Sequence, residues 1–252
     1  MCIVFLAIGQ HPEYPLIIAA NRDEYHERPS RSMRFWEEQP HILAGKDLRE
    51  GGTWLGLTRS GYFCTITNYP DKSYTDHQYH SRGELVRLFL MDESPYSKSQ
   101  RYLTDKGKTY RPFNLIFGNY SKLYTYSNCE QEFTPLTNGY HSVSNGPMNQ
   151  AWPKVSHGVK KLTDLINKGG KINTQILTEF MQDQSLPISH SSKSGTAPYF
   201  SPIFIRGNHY GTRTTTCLLF NGKDVQITES NYNPLGEISG EKEFTFELKH
   251  AS

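Results

Sequence analysis

The pattern of apolar and polar positions predicts a β-hairpin at the N-terminus. Residues 3–8 and 15–21 are apolar, β-prone runs, and the segment between them has the Gly, His, Pro and Glu residues of a turn. Pairing the two runs about the centre of that turn places Cys2 roughly opposite Asn21. The polar tetrad at 21–24 is therefore expected to lie beside the N-terminus.

A second hairpin and a helix are predicted in the next part of the chain. Residues 53–58 and 62–68 alternate apolar and polar positions around a Gly-containing turn, and Asn68 ends the second run. The segment 81–84 has the form of a capping box ahead of an apolar stripe, so we expect a helix to begin there. Strands are predicted to resume at 113–118 and 123–126.

The C-terminal half is predicted to contain two helices followed by strands. Apolar positions recur at helical spacing from Val155, and a second helical pattern runs from about 173 to 181. The Ser, Lys and Gly-rich segment 189–196 is interpreted as a mobile surface loop. The remaining predicted strands are 199–205, 212–220, 225–229 and 244–248.

This order of elements predicts an α+β fold. Hairpins, then helices, then hairpins again are typical of largely antiparallel sheets with helices packed against them. A four-layer αββα sandwich fits the order, and periodicity is also compatible with other α+β arrangements. A chain of 252 residues is expected to form one domain, 1–252.

Composition limits the classes of partner. The net charge of +2 is spread along the chain, so neither nucleic acid nor an anionic membrane surface is expected as a partner. No stretch approaches the roughly eighteen apolar residues of a membrane span, and the N-terminus lacks the basic region of a signal peptide. The four cysteines form no C-x-x-C pair, so no metal or cofactor is expected. We expect a cytoplasmic protein with a small-molecule partner and an oligomeric state that the sequence leaves open.

Cysteine at position 2 is the first candidate for chemistry. Methionine aminopeptidase removes Met1 before a small residue, and the thiol and a free α-amino group would then belong to one residue. Their reference pKa values, about 8.5 and about 7.7 to 8.0, allow the amine to take the thiol proton near neutral pH. Taken alone, Cys2 is more often a small buried residue.

The charged tetrad supplies candidate partners for Cys2. Asn21, Arg22, Asp23 and Glu24 follow an entirely apolar run, and Asp23 is placed to accept a hydrogen bond from the thiol or to hold the ammonium group. The alternative is a solvated strand end with a local salt bridge, which is common and contributes little stability.

Several rare strings together resemble the NRDE, or transport and Golgi organisation 2-like, family. The resemblance runs from Met1 to about Phe220 in the expected order. The strings that carry it are Asn21-Arg22-Asp23-Glu24, Glu50-Gly51-Gly52-Thr53-Trp54-Leu55-Gly56, Thr67-Asn68-Tyr69, Phe113-Asn114-Leu115, Ser144-Asn145-Gly146 and Gly211-Thr212-Arg213-Thr214.

That family is distantly similar to the N-terminal cysteine amidohydrolases, such as penicillin V acylase and the choloylglycine hydrolases. The resemblance implies an N-terminal nucleophile hydrolase fold and five roles. Cys2 would be nucleophile and base, Asp23 would orient the amine and thiol, and Asn68 would donate to the oxyanion. Asn145 would hold the α-amino group and Arg213 would stabilise the charged site. Without the resemblance, Asn68 and Asn145 are better interpreted as turn residues.

The position of the arginine differs from the amidohydrolase pattern, and this difference bears on the choice between two functional hypotheses. In those enzymes an arginine precedes the aspartate by three residues, which here falls on Ala20, while Arg22 is adjacent to Asp23. Neighbours on a strand point to opposite faces, so the pattern predicts that Arg22 and Asp23 cannot both face Cys2 and that the activating arginine is missing. The first hypothesis is an amidohydrolase cleaving an acyl amide. The second, which this departure favours, is a binding or trafficking protein for haem or acyl-lipid ligands such as acyl-coenzyme A.

Overall fold

Two antiparallel sheets face each other between two layers of helices. The computed structural model describes residues 2–69, 79–186 and 202–249. The strands are β1 (Cys2–Ile8), β2 (Leu16–Tyr25), β3 (Ser30–Phe35), β4 (Ile42–Asp47), β5 (Leu55–Thr58), β6 (Tyr62–Asn68), β7 (Phe113–Asn119), β8 (Lys122–Ser127), β9 (Glu132–Pro135), β10 (Gly139–Val143), β11 (Tyr210–Phe220), β12 (Asp224–Tyr232) and β13 (Ile238–Glu247). The helices are α1 (Arg82–Asp92), α2 (Tyr96–Lys106), α3 (Pro153–Asn167) and α4 (Thr174–Met181).

The two sheets differ in how the chain builds them. The first sheet has the order β10-β1-β2-β11-β12-β13, so its centre joins the N-terminal hairpin to strands from the C-terminal part of the chain. The second sheet has the sequential order β3 to β9. The N-terminal strands therefore lie in the middle of the first sheet, where both faces are covered.

Alternate residues of the central strands point into two separate cores. Val4, Leu6 and Ile18 pack between the two sheets, whereas Ile3 and Phe5 pack against α3 and α4 on the outer face. A third core lies between the second sheet and helices α1 and α2. The predicted four-layer αββα sandwich is confirmed. None of the helices in the described ranges has the length and apolar run that crossing a membrane requires.

The sequence prediction found the main hairpins and most helices but missed one helix and four strands. Both predicted hairpins and helices α1, α3 and α4 are confirmed. Helix α2 was missed because its apolar face is narrow: Leu103 is buried, while Tyr96 and Tyr102 are only partly buried against the third core. Strands β3, β4, β9 and β10 were also missed. The predicted strand at 199–205 is wrong in its described part, since 202–205 is not a strand, and the predicted loop at 189–196 lies outside the described residues.

The predicted capping box at the start of α1 does not form its side-chain hydrogen bond. Ser81 occupies the N-cap position, but its hydroxyl caps none of the first-turn N–H groups. The helix begins where the pattern predicted, and its first turn instead packs against the loop that precedes β5, with Thr53 N donating to Gly83 O at 3.0 Å.

The register of the N-terminal hairpin decides which side chains accompany Cys2. Cys2 pairs with Arg22 rather than with Asn21, so the structure lies one residue from the predicted pairing. Directly paired residues share a face, and a shift of one residue exchanges the faces. Cys2 and Arg22 therefore point towards the second sheet, and Asp23 points towards the helix layer.

Candidate active site

A cavity of about 250 Å³ opens where strands of both sheets end near the start of α1. Cys2 lies in its wall. The first sheet contributes Arg22, Asp23 and Glu24, and the second sheet contributes Asp47 and Asn68. The start of α1 contributes Arg82, and loops contribute Arg28, Trp54 and Arg111.

The Cys2 thiol is a half-buried group whose ionisation is controlled by its surroundings. Burial raises the pKa of the thiol above its ordinary value, and the Asp23 carboxylate raises it further. The backbone N–H of Asp23 and the Arg22 guanidinium lower the same pKa. A thiol in this setting needs a base to become a nucleophile at neutral pH.

Arg22 is the arginine that accompanies Cys2. Its side chain is only 5% exposed, and its guanidinium carbon lies 4.3 Å from the centre of the Trp54 ring. Nη2 donates to Asp47 Oδ2 at 3.4 Å, while Nη1 has no hydrogen-bond partner among the described residues. Arg22 and Asp23 do not both face Cys2, as predicted, but the one-residue change of register places Arg22 on the face of Cys2, so the expectation that no arginine lies there is corrected.

Asp47 holds Arg22 and Arg28 in place. Its Oδ2 accepts from Arg28 Nε at 2.6 Å, and its Oδ1 accepts from the backbone N–H groups of Arg49 and Glu50, each at 3.0 Å. Burial alone would raise the pKa of Asp47, but the Arg28 hydrogen bond and the backbone N–H groups outweigh it and lower that pKa. Asp47 is thus a fixed anion that orients two guanidinium groups along the cavity.

The two candidate asparagines are joined to each other and to Cys2. Asn68 lines the cavity at the end of β6, and its backbone carbonyl accepts from Asn145 Nδ2 at 2.7 Å. Asn145 Oδ1 accepts from the Ser144 hydroxyl at 3.3 Å, and the same hydroxyl donates to the Cys2 carbonyl at 2.9 Å. These bonds connect the strand that carries Cys2 to the strand of the second sheet that carries Asn68.

Asp23 lies behind Cys2 with a buried lysine. Its Oδ1 accepts from the Thr212 hydroxyl at 2.7 Å, and burial raises the pKa of the carboxyl group to about 6. Lys154, in the first turn of α3, is 1% exposed and interacts electrostatically with both Asp23 and Cys2. Burial lowers the pKa of Lys154, and the two acidic groups oppose that effect. The sequence predictions missed Lys154.

Arg213 and Asn21 lie outside the cavity wall and support the strands around it. Arg213, in the irregularity of β11 between Thr212 and Thr214, donates through Nη1 to the carbonyls of Tyr25 and Arg28. Asn21 Nδ2 donates to the carbonyls of Met181 and Ile203, each at 2.9 Å. The Arg213 contacts join β11 to the end of β2 and the loop after it, and the Asn21 contacts join β2 to the end of α4 and to Ile203.

The structure thus brings Cys2, Asp23 and Asn68 to one cavity, with Asn145 one hydrogen bond away and Arg213 behind the wall. Arg82 and Arg111 also line the cavity and had no assigned role. The sequence signal for Arg82 was its place at the start of a helix in the capping-box string. No comparable local signal marks Arg111.

A buried carboxyl group beside the site should make stability depend on pH. Glu229 is 0% exposed, with Oε1 accepting from Met33 N at 2.7 Å and Oε2 without a partner among the described residues. Burial raises its pKa from 4.5 to about 7. A raised carboxyl pKa means that the stabilisation is fully present below pH 4.5 and is lost as pH rises through 7.

We therefore expect Glu229→Gln to stabilise the protein at pH 8 by up to about 3 kcal/mol, the equivalent of that pKa difference. Below pH 4.5 this effect should vanish, because the carboxyl group is then neutral in both the folded and the unfolded state. Urea unfolding at a series of pH values measures the change, with the exposed Glu243→Gln on β13 as control. Identical pH profiles for the two variants would contradict the burial argument.

The four-layer architecture is the N-terminal nucleophile hydrolase fold. The structure of the C2A mutant of the conjugated bile acid hydrolase from Clostridium perfringens matches with a TM-score of 0.53, covering 99% of this chain and 98% of that chain. The two sequences are 10% identical, so this likeness establishes the fold alone.

The chain belongs to the Transport and Golgi organisation 2 family, which its sequence matches over residues 1–234. The Transport and Golgi organization protein 2 homolog of Homo sapiens is 31% identical, over 90% of this chain and 91% of that protein. The homolog of Bos taurus is 29% identical over 94% of each chain. The family resemblance found in the sequence motifs is confirmed.

Proposed function

We propose that the chain is a single-domain cysteine hydrolase that cleaves the C–N bond of a small acyl amide, with Cys2 as its nucleophile after removal of Met1. The observation that carries the proposal is the shared cavity of Cys2, Arg22 and Asn68. A thiol, a cation that favours its ionised form and an amide donor are the groups that acyl transfer requires.

The proposed reaction has two steps. The α-amino group of Cys2 takes the thiol proton, Sγ bonds to the substrate carbonyl carbon, and the resulting oxyanion accepts a hydrogen bond from the Asn68 side chain. The C–N bond then breaks, the proton passes to the leaving amine, and a thioester remains on Cys2. Water hydrolyses the thioester, which releases a carboxylic acid and restores the thiol.

Asp23 and Lys154 are proposed to position the amine. Their placement behind Cys2, on the helix side of β2, supports a role in holding the α-amino group rather than in contacting substrate. Asn145 is proposed to fix the backbone on either side of the cavity, because it connects Ser144 with Asn68.

The second candidate is a non-catalytic binding or trafficking protein for haem or acyl-lipid ligands. The polar, charged lining and the volume of about 250 Å³ favour a small polar substrate over a large apolar ligand. The scattered cysteines, with no C-x-x-C pair, suit a reducing compartment, which supports a proposed cytoplasmic location.

A β-lactone probe tests the proposal without knowledge of the natural substrate. A nucleophilic thiol opens the strained lactone to give a thioester, so the mass of Cys2 should increase by that of the whole lactone in samples quenched with acid soon after mixing. The expected result is acylation of Cys2 well ahead of the half-buried Cys129, in protein whose intact mass shows that Met1 is absent. Unmodified Cys2, or equal acylation of both cysteines, would reject the nucleophile assignment.

A further inference from the structure

The cavity wall carries two arginines with no assigned role. Arg82 and Arg111 both line the cavity, and neither has a carboxylate within ion-pair distance among the described residues. Arg82 Nη1 donates to the carbonyl of Pro112 at 3.1 Å. Burial lowers the pKa of Arg82, and its electrostatic interactions with Cys2 and Glu24 oppose that effect.

The N-terminus of α1 adds further positive potential to the same wall. Ser81, Arg82 and Gly83 all line the cavity, and no side chain caps the first turn of this 11-residue helix. Uncapped N–H groups and the helix dipole attract anions at such a position.

Arg22 provides an independent indication of a ligand. It is a charged side chain, 5% exposed, that lines the cavity with Nη1 unpartnered among the described residues. A buried guanidinium with one nitrogen lacking an acceptor is costly, so an anion held in the cavity would stabilise the charge of Arg22.

Four carboxylates also line the cavity, those of Asp23, Glu24, Asp47 and Glu50, but none lies within ion-pair distance of Arg82 or Arg111. Asp47 is within ion-pair distance of Arg22 and Arg28, and Glu24 lies 3.9 and 3.8 Å from the same two groups. Glu50 also lines the cavity and is exposed. Among the described arginines of the wall, Arg82 and Arg111 are therefore the two without a carboxylate partner.

We propose that the cavity binds a carboxylate or phosphate group of the substrate at Arg82 and Arg111, beside the guanidinium of Arg22, while Cys2 attacks a carbonyl of the same molecule. This inference rests on the proposed function and narrows its substrates to acyl amides that carry an anionic group. Guanidinium groups bind such oxygens through paired N–H donors, which makes the interaction directional as well as electrostatic.

Alkylation of Cys2 with two reagents that differ in charge tests the inference without requiring turnover. Iodoacetate and iodoacetamide deliver similar groups to the thiol, but only iodoacetate carries a carboxylate. The measured quantity is the ratio of the alkylation rate with iodoacetate to that with iodoacetamide. This ratio should be about tenfold higher at Cys2 than at N-acetylcysteine amide in the same solution, as one charged hydrogen-bonding group allows. Peptide mass spectrometry measures the rate at Cys2 alone.

Arg82→Gln is expected to remove most of this preference, and Arg87→Gln on the same helix is the matched control because its side chain lies outside the cavity lining. Inorganic phosphate that slows only iodoacetate would identify a site open to free anions. If Cys2 keeps its preference for iodoacetate and phosphate does not slow the reaction, the site binds a carboxylate only when it is part of the reacting molecule.

A preference equal to that of the reference thiol, or equal effects of the two arginine variants, would overturn the inference. If β-lactone acylation of Cys2 is normal in that case, the hydrolase proposal stands. Loss of β-lactone acylation with a clear charge preference would instead reject hydrolysis and leave an anion-binding cavity.

Discussion

Cys2→Ala is expected to reduce turnover of any amide substrate by about 10⁴-fold or more, because the only proposed nucleophile is removed. The fold should remain, since Cys2 is half-buried at the first position of β1 and alanine fits the same strand geometry. Product release measured by chromatography gives the rate, and circular dichroism with thermal unfolding reports the fold.

Cys129→Ala is the matched control for this result. Cys129 is also a half-buried cysteine and is not among the residues that line the cavity. Its variant should keep full turnover. Turnover by Cys2→Ala within about tenfold of the unchanged protein would remove Cys2 from the mechanism and would favour the ligand-binding alternative.

The layers of the fold were predictable because periodicity reports burial directly. The N-terminal hairpin, the hairpin of β5 and β6, and helices α3 and α4 each present a clear apolar face, and each was found from the sequence. Helix α2 presents only a narrow face of Tyr96, Tyr102 and Leu103, so its position depends on tertiary contacts that the local pattern does not contain.

The geometry of the site depended on a finer detail than the pattern resolves. The turn between β1 and β2 is closed by a hydrogen bond from Gly9 N to Pro15 O at 2.8 Å, with Gly9 at a φ of 64°. This closure sets the pairing of Cys2 with Arg22. A prediction accurate to one residue along the chain was therefore insufficient, because a shift of one residue exchanges Arg22 and Asp23 between opposite faces.

Lys154 shows a different limit of sequence reasoning. It lies next to the apolar residues that predicted α3, at a position where a lysine is ordinarily interpreted as solvent-exposed. Only the packing of α3 on the first sheet brings its ammonium group towards Asp23. Long-range partners of this kind leave no signal in spacing.

The neighbouring glycines Gly51 and Gly52 differ in the space around them. Replacing each with alanine is therefore expected to change the free energy of unfolding by different amounts. Gly52 lies against the first turn of α1, where a Cβ atom would be 2.2 Å from the backbone carbon of Gly83 and 2.4 Å from its carbonyl oxygen. Backbone atoms cannot rotate away as a side chain can. The loop before β5 and the helix that carries Arg82 would have to separate.

Gly52→Ala is therefore expected to lower the free energy of unfolding by about 3 kcal/mol, at the upper end of the range for overpacking. Gly51 has a φ of 72°, but a Cβ atom added there would point into open space with nothing within 4 Å. Gly51→Ala should therefore cost only about 1 kcal/mol, for the left-handed backbone. Urea unfolding of both variants measures the difference. Equal stabilities would contradict the close approach of Gly52 to α1, and with it the placement of Arg82 beside Cys2.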